Sequence, residues 1–274
     1  TDSGTSIIEI LDDQVIERSF IQGGNSIWRD IKSYGEFIYI GTENNNGGVQ
    51  IVSMQDPDNP VLVNTFTRVG NSHNLMIDNE YLYIMGASDV GYLVIVSLED
   101  PQNPQQISIW NEEYLHDVCI NGDILYGCGI YSGTMFAIDI SDPYNPSTIN
   151  YWTDVPSAHA CWTTNDGNYL LTASETTSGH IMIWDVEDLN NVNTHQIFNI
   201  GGENAIRLMD YIKEIEENLK MKADINYLPK QPGDVEITES DSRLLSDFIS
   251  YKPQTSIKVG IKKFIHWYRE YYGV

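Results

Sequence analysis

Leu93-Val94-Ile95-Val96-Ser97-Leu98-Glu99-Asp100-Pro101-Gln102-Asn103-Pro104 decides the fold, because the chain repeats it. Val49-Gln50-Ile51-Val52 leads into Asp56-Pro57-Asp58-Asn59-Pro60, and Phe136-Ala137-Ile138-Asp139 leads into Asp142-Pro143-Tyr144-Asn145-Pro146. β-Branched and aromatic residues suit a buried pleated strand. In the box that follows, Asp can accept from backbone amides and Pro pre-sets φ for a turn, so each box ends a strand and reverses the chain. A further short strand follows each box, as in Val61-Leu62-Val63 and Gln106-Ile107-Ser108-Ile109.

Working back from these strands, each unit opens on a related triplet. Arg29-Asp30-Ile31, His73-Asn74-Leu75, His116-Asp117-Val118 and His159-Ala160-Cys161 recur at spacings of 44, 43 and 43 residues. A second strand follows each, including Phe37-Ile38-Tyr39-Ile40, Tyr81-Leu82-Tyr83-Ile84 and Ile124-Leu125-Tyr126. Four strands per unit at this period predict a mainly β chain: a partial β-propeller of about four blades, each a four-stranded antiparallel sheet. In the fourth unit Ile181-Met182-Ile183-Trp184 leads into Glu187-Asp188-Leu189-Asn190, without proline, so the pattern decays and the propeller is expected to span 1–194.

Charge divides the chain at the same place. Of the net −24, residues 1–194 carry nearly all, with 27 acidic against 4 basic side chains, while 195–274 are almost balanced. Within the first piece no lysine follows Lys32, and Arg68 is the only later arginine. Such a surface repels a polyanion, which excludes nucleic acid as a partner. It suits a cationic partner, a salty medium or simply good solvation. Cys119, Cys128 and Cys161 have neither disulfide-framework nor zinc-site spacing. No apolar run is long enough for a transmembrane helix, and no signal-peptide pattern follows Thr1.

The strand Leu93–Val96, the Asp-Pro-x-Asn-Pro boxes, and the segments Trp28-Arg29-Asp30-Ile31-Lys32, Leu115-His116-Asp117 and His159-Ala160-Cys161-Trp162 resemble propellers of the LVIVD-repeat, choice-of-anchor B type. The resemblance covers roughly residues 20–194. It implies a secreted or surface-attached bacterial protein without established chemistry, and more repeats than these four. Ile7–Ile21 is expected to add one strand by end-to-end overlap. An open array would leave strand edges that invite self-association or cover from the tail.

Residues at one place in each blade lie on a ring, so Arg29, His73, His116 and His159 are expected at similar radius and height. Converging imidazoles could bind a metal or an anionic ligand. Alternatively each ties its own blade together by backbone hydrogen bonds, which is the reading adopted. Arg29 speaks against a metal, because a guanidinium is no ligand. The loop Gly127–Gly133 is not a dinucleotide loop, since the strand Thr134–Ile138 follows where a helix is needed. Glu43-Asn44-Asn45-Asn46-Gly47-Gly48 lacks the alternating acids of a calcium loop and reads as a turn. No catalytic set can be placed. The expected partner is a protein or small-molecule ligand of unknown identity.

From Ile197 on, the periodicity becomes helical. Ile206, Met209, Ile212, Ile215 and Leu219 form one stripe on a helix of about four turns, capped by Asn204. Ile257, Ile261, Phe264, Ile265, Tyr268 and Tyr272 form a second, capped by Thr255 or Ser256. The expectation for 195–274 is a small α/β unit with two amphipathic helices around a loop-rich middle. Within it, Leu228-Pro229-Lys230-Gln231-Pro232-Gly233-Asp234-Val235, Tyr251-Lys252-Pro253-Gln254-Thr255-Ser256-Ile257 and Phe264–Tyr272 resemble the C-terminal end of UDP-glucuronate 4-epimerases, extended short-chain dehydrogenase/reductases. The resemblance implies that Asp234 would accept from ribose hydroxyls and Gln231 would approach the nucleotide phosphates; a plain turn at Pro232-Gly233 is the alternative. It also implies NAD, a cytoplasmic setting, a Gly-x-x-Gly-x-x-Gly loop on the NAD pyrophosphate and a Tyr-x-x-x-Lys pair. Neither pattern occurs in the 274 residues. The expectation is therefore a non-catalytic propeller fused to an inactive epimerase fragment, with no cofactor unless a separate Rossmann half brings NAD. The alternative is an epimerase piece that works beside such a half.

Overall fold

In a computed structural model the residues described are 2–11, 14–87, 92–175, 181–198, 205–226, 240–249, 252 and 254–272. The chain divides into two compact units, Thr1–Ile197 and Phe198–Val274. The first is built of propeller blades. Blade 1 comprises β3 (Ile31–Tyr34), β4 (Phe37–Ile40), β5 (Val49–Ser53) and β6 (Val61–Phe66). Blade 2 comprises β7 (Asn74–Asp78), β8 (Tyr81–Met85), β9 (Leu93–Ser97) and β10 (Gln105–Trp110). Blade 3 is β11 (Asp117–Asn121), β12 (Ile124–Gly129), β13 (Thr134–Asp139) and β14 (Ser147–Trp152); blade 4 is β15 (Ala158–Thr163), β16 (Tyr169–Ser174), β17 (Ile181–Asp185) and β18 (Asn193–Phe198). In each sheet the strands pair antiparallel in chain order. Strand β18 carries blade 4 past residue 194, where the charge change had suggested that the propeller stops.

Two contacts recur from blade to blade. In the three proline boxes Asp56, Asp100 and Asp142 each accept the backbone N–H two residues on and the Asn side chain three residues on. Asp188 accepts the N–H of Asn190 in the same way, so the turn survives the loss of both prolines. In the fourth strands Asn64, Ser108 and Asn150 occupy matching places beside a bulge and donate to the carbonyls of Gln102, Pro143 and Leu189 in the next blade. Tyr39, Tyr83 and Tyr126, one per second strand, are fully buried in the cores between blades. The matching position in blade 4 is Leu171, on a face with no blade against it; Trp162 beside it is 66% exposed.

The segment before blade 1 corrects the one-strand expectation. It forms a hairpin of β1 (Gly4–Ile10) and β2 (Val15–Gln22), a two-stranded sheet by itself. Ile7 and Ile21 pack on Ile38, Ile40 and Val52 of blade 1, and Arg18 pairs with Glu9 and with Asp58 of the first box. The hairpin thus has the contacts of the two outer strands of a preceding blade.

The second unit contributes helices among its described residues. Helix α1 (Leu208–Leu219) starts after Arg207, which makes no side-chain cap, and Asn204 lies outside the described residues. Ile212, Ile215 and Leu219 are half-buried and no α1 residue is fully buried, so its stripe is only partly covered. It ends at Lys220 in the left-handed region. Helix α2 (Arg243–Ile249) was not expected; Asp241 accepts the N–H of Arg243 at its start. Helix α3 (Ile257–Tyr272) is capped by Ser256, whose hydroxyl accepts the N–H of Val259, and it buries Ile261 and Ile265.

Candidate functional site

The triplets that open the blades lie on or just before the first strands β3, β7, β11 and β15, which approach one another across the blades. Their rings form a column. The indole of Trp28 stacks on His73 with centroids 4.7 Å apart and planes 7° from parallel. His73 lies 4.0 Å from His116, and His116 lies 4.3 Å from His159. The three histidines are therefore equivalent, as the repeat required. Arg29 is not: its guanidinium turns away to the loop carbonyls of Gly24 and Ser26, and Trp28 takes the blade 1 place in the column. An aromatic ring can stack face to face on an imidazole, which makes Trp the fitting terminus.

The side chains of Trp28, His73 and His116 reach a neighbouring blade, which departs from the reading that each histidine ties its own, while His159 faces Glu175 of its own blade. Trp28 Nε1 donates to the carbonyl of His73, and His116 Nδ1 lies 3.0 Å from the carbonyl of His159. A carbonyl only accepts, so His116 carries its proton on Nδ1 and its Nε2 has the lone pair. His73 departs from this pattern because Glu43 intervenes: Nδ1 is 2.6 Å from Glu43 Oε1, and the buried Nε2 has no hydrogen-bond partner. The turn at residues 43–48 thus supplies a carboxylate to the column. Gly86, at φ +70°, lies so close to His73 that a Cβ there would sit 2.7 Å from the His73 Cβ.

One residue further on runs a second row. Asp30 accepts the N–H of Leu75, and Asn74 donates to Asp117 at 2.7 Å. Ala160 ends this row, and a groove of about 340 Å³ opens there, lined by Asp117, Ala160, Trp162, Leu171, Thr172 and Ile181 among others. Burial raises the Asp117 carboxyl above its ordinary range. Burial and the neighbouring His73 lower His116 to about 4, so its ring is neutral near pH 7. At the blade 4 end, His159 Nε2 is 3.7 Å from Glu175 Oε1. Among the described residues, His116, His159 and Glu175 bring their ligand atoms within 4.8 Å of one another.

The three cysteines also meet, unanticipated by their spacing. Cys119 and Cys161 place their sulfurs 3.3 Å apart across blades 3 and 4, and all three are buried, free thiols. The loop 130–133 joins β12 to β13 as a blade turn. Gln231 and Asp234 lie outside the described residues.

No protein-family model matches the chain. It is 42% identical over 80 residues to an uncharacterized 37.6 kDa protein in the cld 5′ region of Escherichia coli O111:H-, covering 29% of this chain and 24% of that protein. It is 41% identical over 78 residues to Protein CapI of Staphylococcus aureus, covering 28% and 23%. To UDP-glucuronate 4-epimerase 4 of Arabidopsis thaliana it is 37% identical over 80 residues, covering 28% and 18%. The chain thus spans a quarter or less of the length of these relatives. Among solved structures, a Lactobacillus plantarum protein is similar with a TM-score of 0.57 at 14% identity, covering 70% of this chain and 62% of that one. The Pseudomonas aeruginosa periplasmic gluconolactonase PpgL is similar with a TM-score of 0.53 at 12% identity, covering 71% and 63%. These likenesses concern the fold alone.

Proposed function

We propose that the propeller is a non-catalytic binding or scaffold module of the LVIVD-repeat, choice-of-anchor B type, carried by a secreted or surface-attached bacterial protein, and that the tail is an inactive nucleotide-sugar epimerase fragment. The observation that carries this reading is how the column is used. Three side chains of the column, Trp28, His73 and His116, are bonded to a neighbouring blade's carbonyl or to Glu43, as blade-to-blade ties are. For the tail, epimerisation needs a hydride acceptor beside the sugar and a base in hydrogen-bond reach of the hydroxyl. Gln231 and Asp234 would offer only a few hydrogen bonds of about 1 kcal/mol net each, against an association cost of at least about 4 kcal/mol. Apolar residues around Trp162 give the module a face for a partner other than nucleic acid, which the acidic charge repels.

A second reading has one observation in its favour. Identities of 35–42% over about 80 residues to a set that includes UDP-glucuronate 4-epimerases favour a reading in which the tail is a piece of such an enzyme, working beside a separate Rossmann half with NAD. Titration of the whole chain with NAD and UDP-glucuronate by calorimetry, followed by assay for UDP-galacturonate, separates the two. The first reading expects affinity of about millimolar or weaker and no turnover. Micromolar binding or turnover above a no-protein control overturns it.

A further inference from the structure

We propose that His116, His159 and Glu175 form a binding site for one divalent transition-metal ion at the blade 4 end of the stacked column. The inference is independent of what the tail does. It begins with a nitrogen that the fold leaves unused. The bond to the His159 carbonyl takes the Nδ1 proton of His116 and presents the Nε2 lone pair, the same outer-shell arrangement by which proteins orient a ligating imidazole. His159 Nε2 and Glu175 Oε1 stand 3.7 Å apart, and one ligand atom from each of His116, His159 and Glu175 lies within 4.8 Å of the other two. Bonds of about 2.0–2.2 Å would set tetrahedral ligand atoms about 3.4 Å apart, so the set must close by about an ångström. Glu175 can move toward the imidazoles, since it follows directly on β16 and its side chain is 61% exposed, and small ring rotations of the histidines close the remainder.

The donor set selects the ion class. Two imidazoles and one carboxylate suit Zn²⁺, Co²⁺ or Ni²⁺, whereas Ca²⁺ and Mg²⁺ take oxygen ligands. Three protein ligands leave a fourth position to water or to an anionic ligand held by the ion. The excess of acidic over basic side chains in the propeller favours a cation. The sequence-level objection, a guanidinium in the ring, does not apply because Arg29 bonds loop carbonyls and Trp28 ends the column on the far side of His73.

Titrating Co²⁺ into the whole chain, read by its visible ligand-field bands and by calorimetry, tests the site. The expected result is one ion per chain, displaced by Zn²⁺. Glu175→Gln should weaken binding at least tenfold, and His159→Asn should abolish the bands. His266→Gln, which removes a tail histidine 3.4 Å from Glu270, should leave both unchanged. Circular dichroism checks each variant's fold; if His159→Asn fails to fold, Glu175→Gln decides alone. Absence of stoichiometric binding, an unchanged affinity in Glu175→Gln, or loss of binding in His266→Gln would overturn the proposal.

Discussion

The Nδ1 of His116 rests 3.0 Å from the carbonyl oxygen of His159, so the side chain that opens blade 3 is anchored on the backbone of blade 4. Trp28 makes the matching bond from blade 1 to blade 2. The column is therefore a set of ties between blades, and its stability consequences are spread unequally over residues that the repeat treats as equivalent.

Trp28→Ala should cost about 2 kcal/mol, from one hydrogen bond and one stacked contact, and Arg29→Ala less than about 1 kcal/mol, because Arg29 bonds exposed loop carbonyls. Urea unfolding of both variants measures the difference. A larger cost for Arg29→Ala would put the blade 1 tie in the wrong residue.

His116 should titrate near pH 4 in the metal-free protein, while unfolded His titrates near about 6.5. The unfolded chain then binds the extra proton first, so this group's contribution to stability is present above about pH 6.5 and is lost as pH falls toward 4. His73, His159, Glu175 and Asp117 are the titratable groups around it. Proton-detected NMR of the histidine rings should find one ring that stays neutral at pH 5.5; if all titrate at ordinary values, the burial argument fails.

The thiols should be inert in the folded state. Contact with Cys161, together with burial, raises Cys119, and Cys161 itself lies well above the ordinary thiol value. The thiolate is the reactive form. Ellman's reagent should count no thiol in native protein and three in guanidinium chloride. Fast native reaction of even one would mean that the core between blades 3 and 4 opens readily.

Tyr39→Phe should cost about 1 kcal/mol, since the fully buried ring keeps its packing but loses its 2.8 Å bond to the Pro101 carbonyl in the second box. Thermal unfolding checks this. Phe at Tyr81, whose ring is only half-buried, serves as the control and should change little.

By itself the sequence determined what is local and periodic. The strand that alternates or buries both faces, the Asp box that reverses it, and the 43-residue return of a histidine are each specified within one unit, so four blades and the equivalence of His73, His116 and His159 could be read directly. Even Asp188 keeps its turn without proline, because the carboxylate rather than the ring supplies the hydrogen bond. Only the tertiary structure decided which side chains meet between units. Trp28 rather than Arg29 ends the column, Glu43 arrives from a second-strand loop, and Cys119 reaches Cys161, because blades pack face to face and bring together residues about 30 to 45 positions apart. Helix α2 and the hairpin β1–β2 were hidden for the opposite reason. Seven helical residues show too few turns for a periodic stripe, and a half-blade has no complete unit with which to be compared.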